Sequence, residues 1–241
     1  MSGHSKWHNI KNKKEKTDAA KAKIFTKIGK EMAIAIKAGG PDPNSNSKLR
    51  ELIAKAKANN VPNDNIQRTI KKASGAEAVD YEEITYEGYG PSGVAVIVHA
   101  TTDSRNRTAG NVRHYFDKYG GNLGNSGCVS FMFDDKGVIV IDKEGVDEDK
   151  LMEDALECGA EDFSADGDVF EIYTEPSDVG AIAEDLTGKG YTLISAEEDK
   201  IPQNYVTLTD EDAIKNMNLL LEKLDEDEDI ADVYHNWDSE E

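Results

Sequence analysis

Cysteine is nearly missing from this sequence. Cys128 and Cys158 are the only two among 241 residues, too few for a disulfide scaffold. Neither has a second cysteine or a histidine at zinc-ligand spacing. Both are read as reduced thiols, and no metal or cofactor is expected. Long apolar runs are missing too. Nothing approaches the ~18 consecutive apolar residues of a membrane span, and the lysine-rich amino terminus lacks the apolar core of a signal peptide. A cytoplasmic protein that does not touch membranes is expected. Catalytic signatures are also lacking: there is no P-loop lysine motif, no H-E-x-x-H and no G-x-S-x-G, and the five histidines are scattered. The one hydrolase-like arrangement on offer is Cys128, in a glycine-rich loop, with His99 or His114 brought near by the fold. The expectation is therefore no enzyme and no small-molecule substrate.

Charge is abundant but segregated. The net charge is -20, from 28 basic and 48 acidic residues, which by itself argues against a polyanionic partner. Up to Lys72, however, there are 17 basic and 6 acidic residues, leaving 11 basic and 42 acidic beyond it. The first part is therefore strongly positive and the remainder strongly negative. Such asymmetry points to a nucleic acid or another anion as the partner of the basic part, with the acidic part repelling phosphate and fixing which side faces it.

The basic part opens with an arm carrying Lys6, Trp7, Lys11, Lys13, Lys14 and Lys16. An indole among lysines suits phosphate contact with stacking on an exposed base; a tryptophan ahead of a helix also serves as a packing anchor, and both readings stand. The helix that follows runs to about Ala38. At 100° per residue, Lys16, Lys23, Lys27, Lys30 and Lys37 share one narrow sector, opposite Ile24, Phe25, Ile28, Met32, Ala35 and Ile36. One face is built to pack and the other to meet anions, although a lysine face is commonly just solvated. After Gly39 and Gly40, the turn formers Pro41 to Ser45 lead to a second helix from about Lys48 to Ala58. Asn63 or Asp64 then caps a third, bearing Ile66, Ile70 and Ala73 and closed by Gly75. Arg68, Lys71 and Lys72 on this third helix suit phosphates better than base edges.

Beyond the helices the period changes to that of strands. Ile84 to Glu87 and Val94 to Thr101 read as strands separated by Gly88 to Gly93, which matches G-x-G-x-x-G. A dinucleotide fingerprint must follow a strand and open a helix; this one opens a strand and is a loop. Thr102, Asp103 and Ser104 then offer a cap, with Arg105 and Arg107 in the first helical turn. The turn suits a phosphate, or is an ordinary capped helix whose arginines answer nearby acids. The loop Gly120 to Gly127 is a turn. From Val129 the order is a hairpin about Asp135 to Gly137, a helix Asp147 to Cys158, a strand near Phe163, a strand Val169 to Thr174, a helix Ser177 to Thr187 and a strand Tyr191 to Ser195, which is a ferredoxin-like arrangement. A strand Tyr205 to Leu208, a helix Asp210 to Leu224 and a strand Val233 to Trp237 are expected to complete the sheet begun at Ile84.

The expected fold class is α+β: an amino-terminal three-helix domain plus two α/β-sandwich domains, one ferredoxin-like and inserted in the other. The expected domains are 1–79, 80–128 with 203–241, and 129–202.

Several collinear stretches carry a resemblance. They are GHSKW at Gly3 to Trp7, KIFTKIGKE at Lys23 to Glu31, GGPDPNSN at Gly39 to Asn46, VPNDNI at Val61 to Ile66, EGYGPSGVAV at Glu87 to Val96, DSRNRT at Asp103 to Thr108 and GGNLG at Gly120 to Gly124. With these the chain resembles the YebC/PmpR family along essentially its whole length. It departs at Ala20 to Lys23, where relatives often carry Lys-Arg-Gly-Lys, and at Cys128 and Phe131, where Ser and Trp are usual. The resemblance implies a helical amino-terminal domain and two α/β domains. Members are described as DNA-binding transcriptional regulators, while others, including mitochondrial relatives, are translational activators at the ribosome.

The reading at this point is a non-enzymatic nucleic-acid-binding regulator of gene expression, with DNA as its partner. The alternative is a ribosome-associated translation factor binding rRNA or tRNA. Lys6, Trp7, Lys11, Lys13, Lys14, Lys16, Lys23, Lys27, Lys30, Arg68, Arg105 and Arg107 are the expected nucleic-acid contacts. A protein-interaction module using the acids Asp225 to Asp229 is a third possibility, although solvated acids explain that run more simply.

Overall fold

The computed structural model describes residues 18–75, 78–165 and 167–238, with side chains described from residue 22 onward. The chain forms two compact units. Phe133–Gln203 is one, and the described parts of Lys16–Met132 and Asn204–Glu241 form the other.

In the larger unit three helices come first: α1 (Asp18–Gly39), α2 (Ser47–Ala58) and α3 (Asn63–Ala73). Their apolar stripes form one core, in which Ile28, Met32, Ala35 and Ile36 of α1 meet Leu49, Leu52 and Ala56 of α2 and Ile66 of α3. Asn46 fixes the first corner. Its Oδ1 accepts from Leu49 N at 3.1 Å, capping α2, while its Nδ2 donates to Ala35 O and Gly40 O at 2.8 Å each. Gly39 leaves room for this amide, since a Cβ there would lie 2.8 Å from Asn46 Nδ2. At α3 the expected cap is displaced by one residue. Pro62 holds the cap position with no side-chain bond, so Asn63 opens the helix and Asp64 sits in its first turn, where it complements the helix dipole.

The same unit continues with β1 (Glu82–Tyr89), β2 (Ala95–Thr102), α4 (Arg105–Lys118) and β3 (Asn122–Leu123). After the smaller unit come β8 (Val206–Thr207), α7 (Glu211–Glu226), β9 (Ile230–His235) and β10 (Trp237–Asp238). The sheet order is β3-β1-β2-β9, antiparallel throughout. Helices α4 and α7 cover it, burying Val112, Phe116, Met217, Leu220 and Leu224 with Val96, Val98 and Ala100. The G-x-G-x-x-G stretch is a tight link between β1 and β2, with Ser92 and Gly93 at φ 55° and +84°. One expectation is corrected here. Strand β9 joins the sheet, but β8 pairs in parallel with β10 as a separate two-stranded ribbon. Asn236 causes the split: it holds Ala95 through both its side chain and its backbone N–H, while its carbonyl accepts from Val206 N at 2.7 Å.

The smaller unit contains β4 (Phe133–Asp142), α5 (Glu148–Glu157), β5 (Asp162–Ser164), β6 (Val169–Thr174), α6 (Val179–Gly188) and β7 (Leu193–Pro202). Its antiparallel order β5-β6-β4-β7 is ferredoxin-like. Ile139, Ile141, Phe170 and Ile172 of the sheet pack on Leu151, Ala155, Ile182 and Leu186 of the helices. The hairpin expected about Asp135 to Gly137 does not form, because β4 runs straight through those residues. Gly137 marks a close approach instead of a turn: a Cβ there would fall on Thr174 Oγ1 and lie 2.6 Å from Val179 Cβ.

The fold is thus α+β, with three amino-terminal helices, an α/β sandwich and a ferredoxin-like module lying within that sandwich in chain order.

Candidate nucleic-acid interface

The lysines of α1 recur at spacings of four and three, which sets Lys23, Lys27 and Lys30 on one side of the helix. That side meets the segment Asp225–Asp229, where α7 ends. Lys27 Nζ donates to Asp225 O at 2.8 Å and lies 3.7 Å from the Asp225 carboxylate, and Lys23 Nζ donates to Glu226 O at 3.4 Å. Lys30 Nζ donates to Glu228 O at 2.9 Å and to Asp229 Oδ1 at 2.7 Å, and also lies 5.7 Å from the centre of the Tyr81 ring. The last carbonyls of a helix have no partner within it and carry the negative end of its dipole. Ammonium groups arriving from α1 satisfy them at the end of α7.

The second oxygen of Asp229 is taken from the other side. Arg107 Nε and Nη2 reach Oδ2 at 3.0 and 2.7 Å, and Thr108 Oγ1 donates to it at 2.9 Å. Arg107 also bonds Asp103 Oδ1 at 2.8 Å. Asp227 is held alongside, accepting from Asn111 Nδ2 at 3.1 Å and from the Tyr115 hydroxyl at 3.0 Å. Burial of the Asp229 carboxyl works to raise its pKa, but the hydrogen bonds from Lys30, Arg107 and Thr108 outweigh it and hold the group below the usual carboxylate range. Arg107 is driven further up by Asp229 and Asp103. Burial, reinforced by Asp227, pushes the Tyr115 hydroxyl up to about 12. An open cleft of about 430 Å³ lies beside this junction, lined by Thr26, Lys30, Tyr81, Arg107, Asn111 and Asp227 among others.

The expected contacts therefore fall into separate places. Lys6, Trp7, Lys11, Lys13, Lys14 and Lys16 lie outside the described residues. Lys23, Lys27, Lys30 and Arg107 converge on Asp225–Asp229. Arg105 stands apart from them, exposed and 3.2 Å from Glu82, and Arg68 is exposed on α3. At the far end of α1, Lys37 pairs with Asp80 at the surface. The Arg105–Arg107 turn thus has the acidic neighbours that its second reading anticipated, and no side-chain cap bond is made by Ser104. Sequence reasoning weighs Asp225 to Asp229 as an interaction surface but favours a solvated acidic run, and so misses that Asp227 and Asp229 are held within the chain. The available signal was the match between a lysine stripe and five consecutive acids.

It also overlooked Glu87. This buried carboxylate accepts from Gly127 N, Val129 N and Ser130 N at 2.7, 2.9 and 2.8 Å, and so pins the end of the glycine-rich loop. Burial opposes its charge, yet these amides keep its pKa lowered. The neighbouring Cys128 thiol is pushed up by burial and then by Glu87, away from the thiolate that a nucleophile requires. His99 lies against Tyr234, with ring centres 5.1 Å apart, and His114 is exposed on α4. Among the described residues no group of three or more His, Cys, Asp or Glu is arranged to hold a metal ion. No described helix is long and apolar enough to cross a membrane.

A basic three-helix domain docked through its lysines onto the acidic edge of an α/β sandwich, with a ferredoxin-like module carried between β3 and β8, defines a distinct class of three-part α+β protein. The family scan agrees. Residues 5–76 match the TACO1/YebC protein N-terminal domain and residues 81–237 the TACO1/YebC second and third domain, and the chain belongs to this family. A protein of Acetivibrio thermocellus is 60% identical over 98% of this chain and 99% of its own length. One of Lachnoclostridium phytofermentans is 58% identical over 99% and 100%. Both bear the name "Probable transcriptional regulatory protein". The crystal structure of a conserved hypothetical protein from Aquifex aeolicus superposes with a TM-score of 0.85 at 43% identity, covering 94% of each chain.

Proposed function

We propose that this protein is a non-enzymatic, nucleic-acid-binding regulator of gene expression that acts in the cytoplasm on DNA. The observation that carries the reading is the surplus of cations before Lys72 set against a strongly acidic remainder. The names of the relatives agree with a regulatory role. The basic domain grips phosphates, and the acidic α/β parts repel them and orient the complex. A protonated Cys128 thiol in its pinned loop accords with a role outside catalysis.

Arg105 favours a second reading, a translation factor bound to rRNA or tRNA at the ribosome. It is a cation on an acidic lobe, distant in sequence from the helical domain, and would let one molecule bridge two RNA segments.

A gel-shift titration with duplex DNA, run beside ribosome co-sedimentation at the same salt concentration, separates the two. For about six neutralised phosphates, DNA affinity is expected to fall about a thousandfold between 50 and 200 mM salt. A salt-insensitive shift contradicts the electrostatic reading, and co-sedimentation without any DNA shift favours the ribosome.

A further inference from the structure

We infer that duplex DNA is met by an exposed ridge on α3, formed by Arg68, Lys71 and Lys72, and not by the lysine stripe of α1. The inference rests on the nucleic-acid reading above and places its contact surface.

The α1 stripe is already occupied. Lys27 and Lys30 each keep only 11% of their side-chain surface exposed, and their ammonium groups donate to Asp225, Glu228 and Asp229. A phosphate arriving there must displace carbonyls and a buried carboxylate that already provide the geometry an ammonium needs. The gain is the difference between two similar sets of charge-assisted hydrogen bonds, and it is small.

Helix α3 is arranged differently. Ile66 is buried, and Ile70 and Ala73 are half-buried against the other two helices. At 100° per residue, Arg68, Lys71 and Lys72 fall within a sector about 100° wide on the opposite side. All three are exposed, and none forms an ion pair with a described carboxylate. The one acid on the helix, Asp64, lies in the first turn and makes no ion pair with Arg68 among the described residues. From Arg68 to Lys72 the helix rises about 6 Å, less than two of the roughly 3.4 Å rises per phosphate measured along the duplex axis. Three cations therefore face a short run of one backbone. No aromatic residue occurs on α3, so the helix has nothing on which unpaired bases would stack, and its chemistry fits the outside of a double helix. The competing explanation is that Lys71 and Lys72 only complement the carbonyl end of their own helix. In that case their loss would lower stability without changing how binding depends on salt.

The test uses the full chain and a short duplex DNA, with affinity measured by fluorescence anisotropy across 50 to 200 mM salt. Substituting Arg68→Gln, Lys71→Gln and Lys72→Gln together is expected to reduce the slope of log K against log salt by about 2.7, from three phosphate contacts at about 0.9 each. Arg68→Lys with Lys71→Arg and Lys72→Arg should restore the slope. Lys23→Gln with Lys27→Gln should leave it unchanged. An unchanged slope in the glutamine variant overturns the inference, as does a reduced slope in the α1 variant alone, and both leave the nucleic-acid reading standing. Failure of the arginine and lysine swap to restore the slope also overturns it. Binding of duplex RNA without duplex DNA overturns the choice of DNA, and no binding of either by the unaltered protein overturns both readings.

Discussion

Lys30 and Arg107, from two different parts of the larger unit, hold opposite oxygens of one buried carboxylate: Lys30 Nζ lies 2.7 Å from Asp229 Oδ1 and Arg107 Nη2 lies 2.7 Å from Asp229 Oδ2. The carboxylate is therefore the joint at which the helical domain meets the α/β sandwich, and cutting it has different effects depending on which partner is removed.

Asp229→Ala leaves the nearly buried Lys30 ammonium without its carboxylate and facing a half-exposed guanidinium whose remaining anion is Asp103. Removing one partner of a buried ion pair costs about 3 kcal/mol or more, and the half-exposed Arg107 argues for the lower end. Lys30→Met should cost less, about 1 kcal/mol, because Asp229 keeps the bonds from Arg107 and Thr108. Urea unfolding of the two variants should rank them in that order, and equal losses would mean that Asp229 is not the shared joint.

The same carboxylate sets an acid limit. Its pKa in the fold lies below that of an ordinary aspartate, held down by Lys30, Arg107 and Thr108 against its burial, so the unfolded chain takes up a proton first as the pH drops. The stability it contributes is complete above about pH 4 and is lost as the pH falls through the lower folded value. The melting temperature of the unaltered protein should drop steeply below about pH 4, and Asp229→Asn should flatten that limb while lowering stability at neutral pH. An acid limb that keeps its steepness in the variant would assign it to other carboxylates.

Glu87 should control the glycine-rich loop. Its two oxygens serve three backbone amides, whereas Gln brings one acceptor and an NH₂ group with no acceptor to meet among those amides. Glu87→Gln is expected to destabilise by about 1–3 kcal/mol. Amide exchange should quicken most at Gly127, Val129 and Ser130, and exchange that rises evenly through β1 and β2 instead would mean that the whole sheet had loosened.

Arg105 separates DNA from ribosome as the target. Its one ion pair among the described residues, with Glu82, is exposed on both sides, so Arg105→Ala should leave stability within about 0.5 kcal/mol. On the ribosome reading it weakens co-sedimentation several-fold while duplex binding is retained. On the DNA reading neither changes. Arg107→Ala does not discriminate, because it also opens the joint at Asp229.

Much of the fold was legible because periodicity is local. The apolar stripe from Ile24 to Ile36, the apolar run of β2 and the order of elements after Val129 each depend on neighbours within a few residues. Gly137 reads as a turn because a glycine at a turn and a glycine in a strand crowded by its sheet neighbour and a helix start look alike until Thr174 and Val179 are in place. The site was harder to read for a related reason. The wheel places Lys27 and Lys30 on one side of α1 but does not say whether water, phosphate or protein faces them, and the groups they meet lie 198 or 199 residues further along the chain. Asp225–Asp229 looks like a solvated run when read alone.

That separation along the chain also orders events during synthesis. A ribosome adding about 5–20 residues per second needs about 10–40 s to pass from Lys27 to Asp225. Once Ile66 has been added, and for most of that interval, the nascent helical domain has its core residues from Ile28 to Ile66 available, while the acids that will seat its lysines have not yet been made. The newborn protein is a polycation beside the RNA of its own ribosome; the acids after Lys72 bring its net charge below zero before α7 is made, but the lysines of α1 find their seats only once α7 has ended at Glu226.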